Sequence, residues 1–147
     1  GSTPIRKLIA AGRLAQAARY LGRPVSILGK VLKGDGRGRT LGYPTANIEL
    51  NGEVLPPLGV YAAFVVFEGK KYKAMANIGH RPSFKQKSSL INLEVHIFQF
   101  NRNLYRKMIL VELIQKIRNE RKFKTIEGLV GQLNKDSIRS KDILASL

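Results

Sequence analysis

The chain has 147 residues, 44% hydrophobic and 24% charged, which suits one domain with a real core. It has no cysteine, which excludes disulfides and thiolate metal sites and favours a reducing, cytoplasmic setting. Twenty-six Lys and Arg against ten Asp and Glu give a net charge of +16, pointing to an anionic partner: nucleic acid, a membrane surface or a polyphosphate ligand.

From the start, Thr3-Pro4 reads as a helix start with Thr3 as N-cap, and Ile5, Leu8 and Ile9 share one face before Gly12. A second short helix is predicted over Arg13–Leu21, with Leu14, Ala17, Ala18 and Leu21 as its stripe and Gly22 as its stop. Residues 1–23 thus form a helical preface distinct from residues 24–147. VSILGKVL, GVYAAFVVFEG, KKYKAMANIG, LINLEVHIFQF and KMILVELI read as strands, separated by breaks at Gly34–Gly42, Asn51-Gly52, Pro56-Pro57, Glu68-Gly69 and Arg81–Ser88. Short strands without intervening helices predict a mainly β fold, an antiparallel sheet closed as a barrel or folded as a sandwich. The apolar run Val60–Phe67 is far too short to span a bilayer, so no membrane partner is expected. A last helix starts at Thr125, with Glu127 in its first turn and Ile126, Leu129, Val130 and Leu133 as its stripe.

The segment Gly34–Asn47, GDGRGRTLGYPTAN, carries the densest chemistry. Gly34, Gly36, Gly38 and Gly42 let backbone amides approach a ligand and form a nest for phosphate oxygens, beside the fixed charges of Arg37 and Arg39. The segment matches neither GxxxxGK[ST] nor GxGxxG, and glycine content alone suits a connecting loop equally well. Pro44 stiffens the backbone leading into Thr45. Thr45 and Asn47 are two apart on an extended segment and point the same way, as neutral oxygen ligands for Mg²⁺ or as partners in a local turn. In Leu93–Ile97, Glu94 and His96 share the face opposite the apolar residues. Glu94 is either a general base for a hydroxyl or a solvated outward residue, and His96 is read as structural.

GDGRGRTLGYPTAN resembles the signature of riboflavin kinases, in particular the kinase module of bacterial bifunctional riboflavin kinase/FAD synthetases. The resemblance continues in order through LPPLGVYAA, ANIGHRPSF, LEVHIF, LYRK and IRNERKF, covering roughly Val25 to Asp136. It implies a six-stranded antiparallel, Greek-key type β-barrel with a C-terminal helix, and transfer of the γ-phosphate of ATP to riboflavin to give FMN. It implies Glu94 as catalytic carboxylate and Thr45 and Asn47 as ligands of Mg²⁺ and nucleotide. Gly34, Gly36, Arg37, Gly38, Arg39 and Gly42 would form a flap over the ATP phosphates. Arg118, with Arg121 and Phe123, would lie against the flavin, and Tyr105 near the adenine. The preface resembles the family's joint to an N-terminal FMN adenylyltransferase module, which this stretch of sequence lacks, so FAD synthesis is not expected of it.

The sequence departs from the family in Gln99–Lys107, where Arg106 replaces a usual glycine and amides replace acids. Tyr43 stands where Phe is common and His80 where Thr is common. A rival reading is a basic nucleic-acid-binding barrel, using IRNERKFK and NRNLYRK as charged stretches with interleaved aromatics. It leaves PTAN and Glu94 unused, so nucleic acid is expected to bind only incidentally.

Overall fold

Alternate residues of the strand-like segments turn inward and close a barrel in the computed structural model, which describes residues 2–34, 36–81 and 90–147. Its strands are β1 (Val25–Leu32), β2 (Ala46–Ile48), β3 (Gly59–Phe67), β4 (Lys70–Arg81), β5 (Leu90–Ile97) and β6 (Met108–Arg118). Around the barrel the order is β1-β2-β5-β4-β3-β6, with every neighbouring pair antiparallel and β6 returning to β1. The meander β3-β4-β5 flanked by β6 is the Greek-key element.

Side-chain alternation decides which residues fill the interior. Val25, Ile27 and Val31 meet Tyr61, Ala63, Val65, Ala76, Ile78, Leu93, Val95, Ile109, Val111 and Leu113 there, all buried. Each large aliphatic side chain so buried contributes roughly 1.5–3 kcal/mol. β2 lacks the apolar run that marks the other strands; it is a short strand held between β1 and β5. The break expected over Arg81–Ser88 lies, past Arg81, outside the described residues.

The preface forms α1 (Ser2–Ala10) and α2 (Leu14–Leu21). Thr3, the expected N-cap, lies within α1, which starts at Ser2, two residues before the expected first helical position Pro4. Gly22 ends α2 in the left-handed conformation (φ 73°), its N–H bonded to the Ala18 carbonyl. Leu14 and Ala17 join the barrel's core cluster, and Ile5, Leu8, Ile9 and Leu21 pack against it, so α2 docks on β1 and β6 and α1 packs on α2.

The final helix, α4 (Ile126–Ala145), begins at Thr125, whose hydroxyl accepts the Gly128 N–H at 3.0 Å. Its buried side differs from the expected stripe. Ile126 is exposed, Leu129, Val130 and Leu133 are partly covered, and the fully buried residues are Asp136, Ser137, Ser140 and Leu144. α4 lies across β3, β4 and β6 with a largely polar inner face, because it covers a site rather than the core.

Candidate active site

The strand register builds the site on the barrel's outer wall. Asn47 of β2 pairs with Glu94 of β5, Glu94 with Asn77 of β4, Asn77 with Val60 of β3, and Val60 with Arg118 of β6. Directly opposed residues of neighbouring strands face the same way, so these side chains form one row, about 5 Å apart from strand to strand. Their sequence neighbours Ile48, Leu93 and Ile78 face the core.

Two cavities open along this row. The smaller, about 280 Å³, is lined by Val60, Asn77, Glu94, His96, Arg118, Glu120, Arg121, Phe123 and the α4 residues Leu129 and Leu133. The larger, about 880 Å³, is lined by Gly34, Gly36, Arg39, Pro44, Asn47 and the stretch Phe100–Tyr105. Gly38 and Thr45 line both, forming the partition between them. Arg37, grouped by sequence with the phosphate loop, lies in the smaller cavity, and Gly42 lies in neither lining.

Part of the glycine loop is helical: α3 (Arg37–Thr40) follows Gly36, and Gly42 turns the chain at φ 84°. The amides of Leu41, Gly42 and Tyr43 bond to carbonyls of Gly38 and Arg39, so these three are engaged within the turn. Gly34 and Gly38 are required by close approach. A Cβ on Gly34 would sit 2.0 Å from Asn47 Nδ2, and one on Gly38 would sit 2.2 Å from the Tyr43 carbonyl oxygen. With its nitrogen packed on Gly34, Asn47 leaves Oδ1 buried without a hydrogen-bond partner among the described residues. An orphaned buried oxygen is costly unless a donor or cation meets it.

Glu94 is half-buried, and one of its oxygens, Oε1, accepts the Asn92 Nδ2–H at 2.9 Å. His96, next on the same face, donates from Nδ1 to the Pro44 carbonyl at 2.7 Å, with its ring edge-on to Tyr43 and Phe98. Burial lowers the imidazole pKa; the Pro44 carbonyl raises it and the Lys141 ammonium lowers it further. The ring is therefore neutral at pH 7 and pins the segment that delivers Thr45. The Tyr43 hydroxyl donates to Asn134 Oδ1 of α4, so the residue standing in place of Phe ties the glycine loop to that helix.

Across the smaller cavity, Arg118 is not the exposed arginine that its setting in a basic stretch allows. Its Nε lies 3.0 Å from each oxygen of Asp136 and its Nη2 2.8 Å from Oδ2. Arg121 donates to Gln132 Oε1 at 3.2 Å, and both guanidinium groups lie over the Phe123 ring. Glu120 Oε1 accepts the His80 N–H at 3.1 Å. Asn77 and Glu120 lie inside the blocks ANIGHRPSF and IRNERKF but were given no role there, and Gln132 and Asp136 belong to no motif; cross-strand register and the i, i+4 spacing of Gln132 and Asp136 bring them in. In the altered Gln99–Lys107 loop, Arg106 adopts φ 70°, a conformation suited to the glycine it replaces. Arg102 there is paired with Glu68 at 2.8 Å, and Tyr105 lines the larger cavity.

Residues 21–144 match the family model for flavokinase, riboflavin kinase. The chain is 42% identical over 147 residues to a bifunctional riboflavin kinase/FMN adenylyltransferase of Listeria monocytogenes, covering 99% of this chain and 46% of the relative. It is 44% identical over 136 residues to the Haemophilus influenzae protein of the same name, covering 92% and 44%. The chain thus spans under half the length of these curated relatives. A crystal structure described as a macrolide-efflux protein from Streptococcus pneumoniae superposes with a TM-score of 0.86 at 37% identity, over 96% of this chain and 46% of that one. The riboflavin kinase of Trypanosoma brucei shares the fold, with a TM-score of 0.58 at 22% identity over 82% and 79%. No helix among the described residues is long and apolar enough to cross a membrane.

Proposed function

Because the chain belongs to the flavokinase family, we propose that it phosphorylates riboflavin at the ribityl 5′-hydroxyl with Mg-ATP, giving FMN and ADP. The observation that carries this reading is the row Asn47–Glu94 beside a partition made of Gly38 and Thr45. A nucleotide in the larger cavity and a flavin in the smaller one meet at that partition. Phosphoryl transfer asks the protein mainly for positioning and charge stabilisation. Glu94, steadied by Asn92, takes the proton of the ribityl hydroxyl. The oxygen attacks the γ-phosphorus, the bond to the β-phosphate oxygen breaks, and ADP carries away the electron pair. Arg39 lies on the phosphate side and Arg37 on the flavin side of the partition.

Mg²⁺ suits the residues present. Asn47 offers a buried, unpartnered Oδ1 and Thr45 a hydroxyl two residues before it, both neutral oxygen donors. Bound there with the phosphates, the ion would neutralise charge on the transferring group. The flavin ring would lie between the barrel wall and the Phe123, Arg118 and Arg121 side. In the full-length protein the barrel would adjoin an N-terminal FMN adenylyltransferase module, in keeping with the names and greater length of the relatives, and the setting would be the bacterial cytoplasm.

The deciding experiment incubates the purified chain with riboflavin, ATP and Mg²⁺ and tracks flavin products by chromatography. FMN that requires the metal, with no FAD, is the expected outcome. A folded chain that binds riboflavin and Mg-ATP together yet forms no FMN would overturn the reading.

A further inference from the structure

Around Phe123 the side chains close a circuit. Asp136 holds Arg118 by paired hydrogen bonds of 3.0 and 2.8 Å; Arg118 lies 5.7 Å from the Phe123 ring centre. Arg121 lies 4.8 Å from the same ring centre and bonds Gln132, and Gln132 Nε2 returns to Asp136 Oδ1 at 2.9 Å. The negative face of an aromatic ring attracts a guanidinium but leaves it free to slide over the ring. The fork to a carboxylate fixes the plane. Asp136 supplies that fork from α4 and is 1% exposed, so it touches no ligand itself.

We propose, on the riboflavin kinase reading, that Asp136 is a positioning residue for the flavin: it fixes Arg118 and, through Gln132, Arg121, and so sets the Phe123 wall of the smaller cavity. Its reach stops at that cavity. Neither Asp136 nor Gln132 lines the larger cavity, and neither do Arg118, Arg121 or Phe123. The Asp136 carboxylate is also felt on the loop side, where it is the second cause, after burial, of a raised Tyr43 pKa.

The test measures riboflavin Kd by fluorescence quenching, and KM for both substrates, in the wild-type chain, Asp136→Asn, Phe123→Leu and the double variant. Asp136→Asn is expected to raise riboflavin Kd and KM roughly tenfold, as loss of a charge-assisted fork implies, with KM for Mg-ATP unchanged within about twofold. The double variant is expected to fall short of the product of the single effects, because both act on one wall. A merely structural role would lower the melting temperature and kcat without separating the two KM values. An unchanged riboflavin Kd in Asp136→Asn, an equal rise in both KM values, or fully independent single effects would overturn the assignment. Should Asp136→Asn not fold, Gln132→Met severs the link to Arg121, and a riboflavin Kd raised about threefold or left unchanged decides the matter. A folded wild-type chain that binds no riboflavin would sink the kinase reading itself and this assignment with it.

Discussion

Glu94 sits between two amides, Asn47 and Asn77, on adjacent strands, with Asn92 holding one of its oxygens. Glu94→Gln keeps the shape and removes the proposed base, so kcat is expected to fall about 10²–10⁴-fold while Mg-nucleotide affinity stays within about twofold. Turnover close to wild type in that variant would remove Glu94 from the mechanism. His96, two residues on, has a different task. Neutral and bonded to Pro44, it orders the approach to Thr45. Alternation around Glu94 and the Pro-Thr-Ala-Asn spacing were visible in the sequence because both depend on neighbours in the chain. The engagement of Arg118 with Asp136 was not, since the two residues meet only when β6 ends against α4.

Helix α4 holds both sides of the site. Tyr43 ties the glycine loop to Asn134, while Arg118 and Arg121 tie the β6 end to Asp136 and Gln132. Its start is set by Thr125, whose hydroxyl accepts the Gly128 N–H. Thr125→Ala leaves that donor unsatisfied and is expected to cost about 1 kcal/mol, read as a lower urea midpoint at unchanged slope. An unchanged midpoint would mean that docking of the first turn, not the cap, sets the helix start. The cap was legible because it is a local hydrogen bond. The inner face was not, because a hydrophobic stripe predicts burial against an apolar core, whereas α4 covers a polar cavity and buries Asp136, Ser137 and Ser140. β1, β3, β4, β5 and β6 announced themselves by β-branched and aromatic runs. β2 is Ala-Asn-Ile, too short for a pattern, and exists because β1 and β5 offer it edges.

At the scale of the molecule, Tyr61 is a fully buried member of the barrel core, and its hydroxyl donates to the Pro57 carbonyl at 2.5 Å. Burial pushes its phenol up to about 12. The folded state therefore keeps a proton that the unfolded chain releases near pH 10. Below about pH 10 this contributes full stability, and roughly 2–3 kcal/mol is lost as pH rises to about 12. Urea unfolding of the wild type across that range should show this loss, and Tyr61→Phe should flatten the slope; an equally steep loss in Tyr61→Phe would assign it to other groups. Burial shifts Tyr43 in the same direction. The row from Asn47 to Arg118 has a further consequence for how the site can vary. Because side chains alternate strictly, the spacing between Asn47 and Glu94 changes only in whole steps of the ladder. Sliding β2 by one residue would swing the amide into the oily interior and offer Ala46 or Ile48 to the nucleotide side instead. The loop upstream of Pro44 can lengthen or shorten gradually, but Ala46–Ile48 behaves like a reading frame: in phase it delivers the amide, and one step out of phase it delivers a methyl group.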